Sequence, residues 1–330
     1  MTAALVRALG DLAHRAAHPA GCGPRPCPPP AVLAERDDGI VVRSGPVVAK
    51  AHAADTDTAA LAARLRLAAG PGLDGILLAP LPVAPGTHLT ELHGRPVTLW
   101  PHGEPVDPGD PDAAPWEEAG ALLARLHRTD APTAGLPAMR GPAKAALAVG
   151  RMRTARPADP AVDPVLTAWR GLPGWARGEE GAGKRTRGAP PAGRGTHLCH
   201  GDLHLGQLVR HPAPHGRWLL IDVDDAGPGD PAWDLARPAA WYAAGLLPAD
   251  VWLRFLDAYR AGGGPAVPAD GDPWPALDVP ARALTVQTAA LAWAKSAKEG
   301  RAPDEVEQVM IDACVRIASL PPELAAEHTS

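Results

Sequence analysis

The sequence predicts an α+β chain of two lobes, a small strand-rich one followed by a larger helical one. Three observations carry this. β-type runs broken by hairpin turns crowd between residues 31 and 53, a Pro-rich tract interrupts the chain at 101–115, and amphipathic helical patterns dominate from 116 onward. At 330 residues there is ample length to bury a core.

Taken in order, 1-MTAALVRALGDLAHRAAH-18 has helical spacing. Arg7, Asp11 and Arg15 interrupt the apolar residues of the segment, which makes it an amphipathic helix and not a signal peptide. With the Pro-rich 24-PRPCPPP-30 it suggests a lead of residues 1–27, then a small lobe over 28–103 and a helical lobe over 104–330. The runs 31-AVLAER-36, 40-IVVRS-44 and 46-PVVAKAHA-53 alternate like strands, separated by Asp37-Asp38-Gly39 and Ser44-Gly45 turns. Asp57 then caps a helix that Gly70-Pro71 stops. The segments 75-GILLAPLPV-83, 88-HLTEL-92 and 95-RPVTLWPHG-103 read as further strands, the last leading into the Pro-rich tract. Helices are expected over 116–129, 142–154, 161–171, 231–245, 249–261, 279–299 and 302–319. The tract 176–195 has almost no large apolar residue and reads as a mobile surface loop.

Composition narrows the function classes. Net charge is −5, so no global field draws the chain to nucleic acid or an anionic membrane, and neither is expected as a partner. No apolar run approaches a membrane span, and a cytoplasmic protein is expected. Cys22 and Cys27 lack a second Cys/His pair at ligand spacing, so free thiols are favoured over a metal loop. There are 27 Arg against 5 Lys and no Asn at all, so any role that suits Asn must fall to another residue.

Two polar knots concentrate the chemistry. In 198-LCHGDLHLGQLV-209, the catalytic-loop candidate, Asp202 and Gln207 lie on a short loop pinned at both ends by apolar segments. In 218–225, 218-WLLID-222 is a strand whose last residue is a carboxylate. Pairing of the two following strands would set Gln207 and Asp222 side by side. A carboxylate and an amide oxygen, completed by water and phosphate, suit Mg²⁺. Asp202, five positions before Gln207, is placed to meet an incoming hydroxyl. Asp230-Pro231 reads as a helix start. Asp224 and Asp225 read equally as metal- or acceptor-side groups and as solvated turn acids.

This pair of knots, 200-HGDLHLGQLV-209 with 219-LLIDVDDAGPGDPAWDLA-236, resembles the aminoglycoside phosphotransferase and choline kinase-like family, which has a protein-kinase-like fold. The lobe order extends the resemblance loosely over most of the chain. It implies ATP and Mg²⁺ as cofactors and transfer of the γ-phosphoryl group to a small hydroxylated acceptor: a sugar, aminoglycoside, polyol or amino alcohol. By resemblance, Asp202 is the base that orients or deprotonates the acceptor hydroxyl. Gln207 and Asp222 are the metal ligands, Gln207 standing where most of the family has Asn. His200 braces the loop, Asp234 accepts hydrogen bonds from the loop backbone, and Lys50 in 46-PVVAK-50 binds the nucleotide phosphates. The string His-Leu-Gly-Gln is also similar to one in maltokinase-like sugar kinases.

Two departures stand out. Residues 51–90 hold no Glu to pair with Lys50 from the following helix, leaving Asp55, Asp57 or the phosphates alone to position it, and no Gly-x-Gly-x-x-Gly loop covers the phosphates. They favour one alternative, a nucleotide-binding pseudokinase that acts as a scaffold. Another alternative is a metal-dependent hydrolase built on His200, Asp202 and His204.

Overall fold

The computed structural model describes residues 2–19, 29–36, 38–179 and 196–319. Cys22, Cys27 and the stretch 180–195 of the expected mobile loop lie outside the described residues.

In chain order, the first part runs α1 (Thr2–Ala17), β1 (Ala31–Arg36), β2 (Gly39–Ser44), β3 (Val47–His52), α2 (Thr58–Ala68), β4 (Thr90–Leu92), β5 (Arg95–Pro101) and β6 (Glu104–Pro105). It continues with α3 (Trp116–His127), α4 (Gly141–Ala155), α5 (Asp163–Arg170), β7 (His197–Cys199), β8 (Leu208–His211) and β9 (Arg217–Leu220). Last come β10 (Gly227–Gly229), α6 (Ala232–Ala244), α7 (Ala249–Ala261), α8 (Trp274–Glu299) and α9 (Glu305–Ala318). These elements form two compact units, one of residues 1–114, 129–137 and 205–224, the other of 115–128, 138–204 and 225–330.

The first unit is built on an antiparallel sheet in the order β1-β2-β3-β5-β4. Successive side chains of a strand face opposite ways, and each sheet face has its own use. Ile40, Val42, Val47, Ala49, Ala51, Val97 and Leu99 form a dry face that takes the Leu5-Leu9-Ala13 stripe of α1. The stripe recurs every four residues, the spacing of one helix face. Lys50 and His52 point to the opposite face, with Thr98 and Trp100 of β5 alongside them; Lys50 and Thr98 are register partners. Asp57 caps α2 by accepting from the Ala59 and Ala60 amides, 3.0 Å each. A second small sheet, β6-β8-β9, belongs to the same unit, with Leu208 opposite Leu220. Leu78, Val209 and Leu219 pack beneath it.

The predicted strand over 75–83 is not one. Pro80 and Pro82 remove two of its backbone donors, and only single bridges remain, Leu77 to Leu220 and Leu81 to Leu99. The Pro-rich tract 101–115 carries β6 and a short 3₁₀ turn at Pro111–Ala113.

The second unit is helical, around a long α8 that packs against α4, α5, α6 and α9, while α3 lies on α7. α8 begins at Trp274, five residues before the expected start, because Pro275 falls in its first turn, where a missing N–H costs nothing. Near Asp230 the helix start differs by one residue from the expectation. Pro231 is the cap position, while the Asp230 carboxylate receives the Ala232 amide at 2.9 Å. A two-stranded ladder of β7 and β10 pairs Cys199 with Gly227 and His197 with Gly229.

Candidate active site

Within the first unit the structure brings together Lys50, Gln207 and Asp222. β8 and β9 pair so that the Ile221 amide donates to the Gln207 carbonyl, 2.9 Å, which sets residues 207 and 222 next to each other at the sheet end. Asp222 is in the left-handed region, φ 65°, a conformation Asp tolerates better than bulky residues. One of its oxygens, Oδ1, accepts from Lys50 Nζ at 2.8 Å; the other, Oδ2, accepts from Gln207 Nε2 at 3.3 Å.

Lys50 has a further partner that the sequence left open. Its Nζ also donates to Asp224 Oδ2, 2.8 Å away. Burial would lower the lysine's pKa, but the charges and hydrogen bonds of Asp222 and Asp224 outweigh it and raise the pKa above the usual range. Asp224 behaves as the mirror image. Burial opposes its charge, yet Lys50 and the hydrogen bond from His52 hold the carboxyl well below the usual carboxylate range. Asp224 is therefore an engaged group and not a solvated turn acid. Asp57 is committed to the cap of α2, and Asp55 is exposed, so neither is Lys50's partner.

The second unit holds Asp202, His200 and Asp234. Asp234, in the first turn of α6, is fully enclosed, and its carboxylate accepts from the His200 amide at 2.6 Å, the Gly201 amide at 2.7 Å and His127 Nε2 at 2.9 Å. Burial would raise its pKa, but the bond from His127 and these neighbours bring the net shift down. One carboxylate thus fixes the turn before Asp202. Gly201 sits at φ 85°, and a Cβ there would strike the Asp225 backbone.

Asp202 itself lies between two cations. Arg237 Nη2 donates to Oδ1 at 2.6 Å and Lys144 Nζ reaches Oδ2 at 2.7 Å. Lys144 also pairs with Asp225 at 2.6 Å. Burial pushes the Asp202 carboxyl up, but Lys144 and Arg237 outweigh it and hold it at about 2. Beside it Gly141, Trp233, Arg237, Leu284 and Gln287 enclose a cavity of about 10 Å³, room for about one water or one hydroxyl group.

Sequence reasoning missed His52, Lys144, Arg237 and the pairing role of His127. His52 had a readable signal: it lies two residues after Lys50 on one strand and so shares its face. Lys144 and Arg237 had none, because only the packing of α4 and α6 sets them beside the 202 loop. Just after β5 the His102 amide donates to Pro46 O, and the His102 carbonyl accepts from His211 Nδ1.

The donor set suits a hard divalent ion. Asp222 and Gln207 offer a carboxylate and an amide oxygen from adjacent strand ends, and a half-turn of the Gln207 amide would present its oxygen in place of its N–H. Among the described residues, the one group of His, Cys, Asp or Glu whose ligand atoms lie close together is His127, Cys199 and Asp234. Both His127 nitrogens are already used, by Tyr259 and Asp234, and burial raises the Cys199 thiol well above its usual range. That group is a structural network. His200, Asp202 and His204 form no such group, which removes the basis for a metal-dependent hydrolase.

Comparison with known proteins gives a family and a fold. A family profile described as "Phosphotransferase enzyme family" matches residues 32–277. Among solved structures, a choline/ethanolamine kinase family protein from Mesorhizobium loti is similar at a TM-score of 0.52 and 17% identity, covering 91% of this chain and 88% of that one. An amicoumacin kinase is similar at TM-score 0.58 and 17% identity, covering 88% and 87%. A thermostable mutant of an aminoglycoside phosphotransferase is similar at TM-score 0.58 and 13% identity, covering 89% and 96%. These likenesses show a protein-kinase-like α+β fold, and with three quarters of its length inside the family profile the chain belongs to the phosphotransferase enzyme family.

Proposed function

We propose that this chain is an ATP- and Mg²⁺-dependent small-molecule kinase that phosphorylates an alcohol group of a sugar, aminoglycoside, polyol or amino alcohol. The observation that carries the reading is the grouping of Lys50, Gln207 and Asp222, a cation and two oxygen-bearing side chains in mutual contact at one sheet end. The amicoumacin kinase was solved with AMP-PNP and Ca²⁺, and a spectinomycin phosphotransferase with ADP and spectinomycin, which supports a nucleotide, a divalent ion and a small acceptor here.

In this reading Lys50 binds nucleotide phosphates, and Asp222 and Gln207 hold the divalent ion. When bound, the ion neutralises charge on the transferring phosphate. Asp202 accepts the hydrogen bond of the acceptor hydroxyl and orients its oxygen as the nucleophile. As the new O–P bond forms, the bond to the ADP oxygen breaks. A carboxylate held at about 2 is a weak base, so its work is orientation, and the hydroxyl proton passes to it late, as the new bond forms and the oxygen becomes acidic. The pocket formed with Trp233 and Gln287 is suited to the hydroxyl-bearing end of the acceptor. His200 and Asp234 keep the loop in place.

The scaffold alternative loses ground, because the missing helix Glu is met by Asp224. Among the described residues no helix is long and apolar enough to cross a membrane.

The test is a screen of hydroxylated acceptors with Mg·ATP, read by mass spectrometry for the phosphorylated product. With an acceptor found, Asp202→Ala is expected to lower kcat by about 10²–10⁴-fold while nucleotide affinity stays unchanged. Wild-type turnover in that variant would remove Asp202 from the reaction.

A further inference from the structure

Lys50 is tied to a hydrogen-bonded chain that runs through the interior of the first unit. Trp100 Nε1 donates to Thr98 Oγ1 at 2.9 Å; Thr98 Oγ1 lies 3.0 Å from His52 Nε2; His52 Nδ1 lies 3.0 Å from Asp224 Oδ2; and Lys50 Nζ lies 2.8 Å from that same oxygen. Thr98 is 0% and His52 2% exposed. All four links lie on one sheet face, between β3 and β5, and end on the segment that follows Asp222.

The direction of the chain is set by what each group can do. A carboxylate only accepts, so His52 Nδ1 donates to it. In a neutral ring Nε2 is then the acceptor, and the Thr98 hydroxyl donates. The Thr98 oxygen still has a lone pair, which the Trp100 indole N–H fills. Every buried donor and acceptor is satisfied in one arrangement, so the Asp224 oxygen has a fixed place.

Resting on the kinase reading above, we infer that Asp224, aimed by His52, is the positioning residue of Lys50. The need for one is geometric. Asp222 shares its oxygens between Lys50 and Gln207, and as a metal ligand it would turn them to the ion. Lys50 then keeps a carboxylate only if another is held independently. Asp224 is so held, because its partner His52 is fixed from behind by Thr98.

Four variants separate the links. His52→Asn keeps a donor where Nδ1 stands, His52→Gln keeps a group at Nε2 but loses the donor to Asp224, and Asp224→Asn and Thr98→Val cut the chain on either side. ADP affinity is measured by calorimetry in EDTA and again in Mg²⁺, with circular dichroism to confirm folding. Lys50 acetylation by an N-hydroxysuccinimide ester is timed by peptide mass spectrometry without nucleotide. Loss of a charge-assisted hydrogen bond is expected to weaken ADP binding about tenfold in His52→Gln and Asp224→Asn, in EDTA and Mg²⁺ alike. Thr98→Val is expected to fall between these and wild type, and His52→Asn within about twofold of it. The acetylation rate of Lys50 is expected to rise in His52→Gln but not in His52→Asn. Equal behaviour of His52→Asn and His52→Gln would overturn the inference. So would an Asp224→Asn variant that keeps its affinity in EDTA and loses only the Mg²⁺ response, since that would make Asp224 a metal ligand. A wild-type protein that fails to bind ADP would sink the kinase reading, and the acetylation series would still decide the positioning of Lys50.

Discussion

Asp202 carries its charge because Lys144 and Arg237 face it at 2.7 and 2.6 Å. The sign of the consequence follows from the direction of the shift. A carboxyl depressed to about 2 contributes its full stability above the unfolded value, near pH 4, and loses it as pH falls toward 2. In the proposed reaction Asp202 stays ionised between about pH 5 and 9, so kcat/KM is expected to show no ionisation from it over that range. Lys144→Met removes the first-named of the two charges that hold it down. The Asp202 pKa is expected to rise toward the usual value of about 4 and to move the acid limb of the pH–rate profile upward with it. An unchanged acid limb, measured on a variant with native circular dichroism, would separate Lys144 from Asp202.

At the scale of elements, the contact between α3 and α7 is closer than large side chains permit. A Cβ on Gly120 would overlap the Phe255 carbonyl and crowd Ala258 and the Tyr259 amide. Gly120→Ala is expected to cost about 1–3 kcal/mol in urea unfolding, because backbone atoms of α7 must give way. Gly150 is the control: it lies within α4 with open space around its Cβ position, so Gly150→Ala is expected to stabilise by about 0.5–1 kcal/mol. Equal effects at the two positions would contradict the packing of α3 on α7. These helices were legible because their apolar spacing is strong: Leu122, Leu123 and Leu126 repeat on the buried side of α3. The segment 75–83 misled because its apolar run is real while Pro80 and Pro82 deny it a ladder, and an isolated run does not reveal its partner. Helix starts shifted beside prolines: Pro275 falls within the first turn of α8, while Pro231 takes the cap position just before α6.

Across the whole molecule, what the sequence made legible was chemistry compressed into short motifs. Gln207 and Asp222 lie in two segments joined by one hairpin, so strand pairing alone predicts their contact. Lys50 was legible as the one lysine of the early strand-rich region, although β3 runs on past it to His52. The groups that hold these side chains were not legible, because tertiary packing creates their partnerships: His52 with Asp224 across 172 residues, His127 with Asp234 across 107. Gln207 in a chain without Asn offers the same amide oxygen on a stem one methylene longer, and the structure sets that amide against Asp222. The central claim is that Asp222 and Gln207, beside Lys50, form the seat of a divalent ion and a nucleotide. The most direct measurement is ADP affinity by calorimetry with and without Mg²⁺, on wild type and Asp222→Asn. Mg²⁺ is expected to tighten ADP binding at least about tenfold in wild type and to have little effect in Asp222→Asn. Equal Mg²⁺ dependence in the two proteins, or no binding of ADP by wild type, would contradict the account.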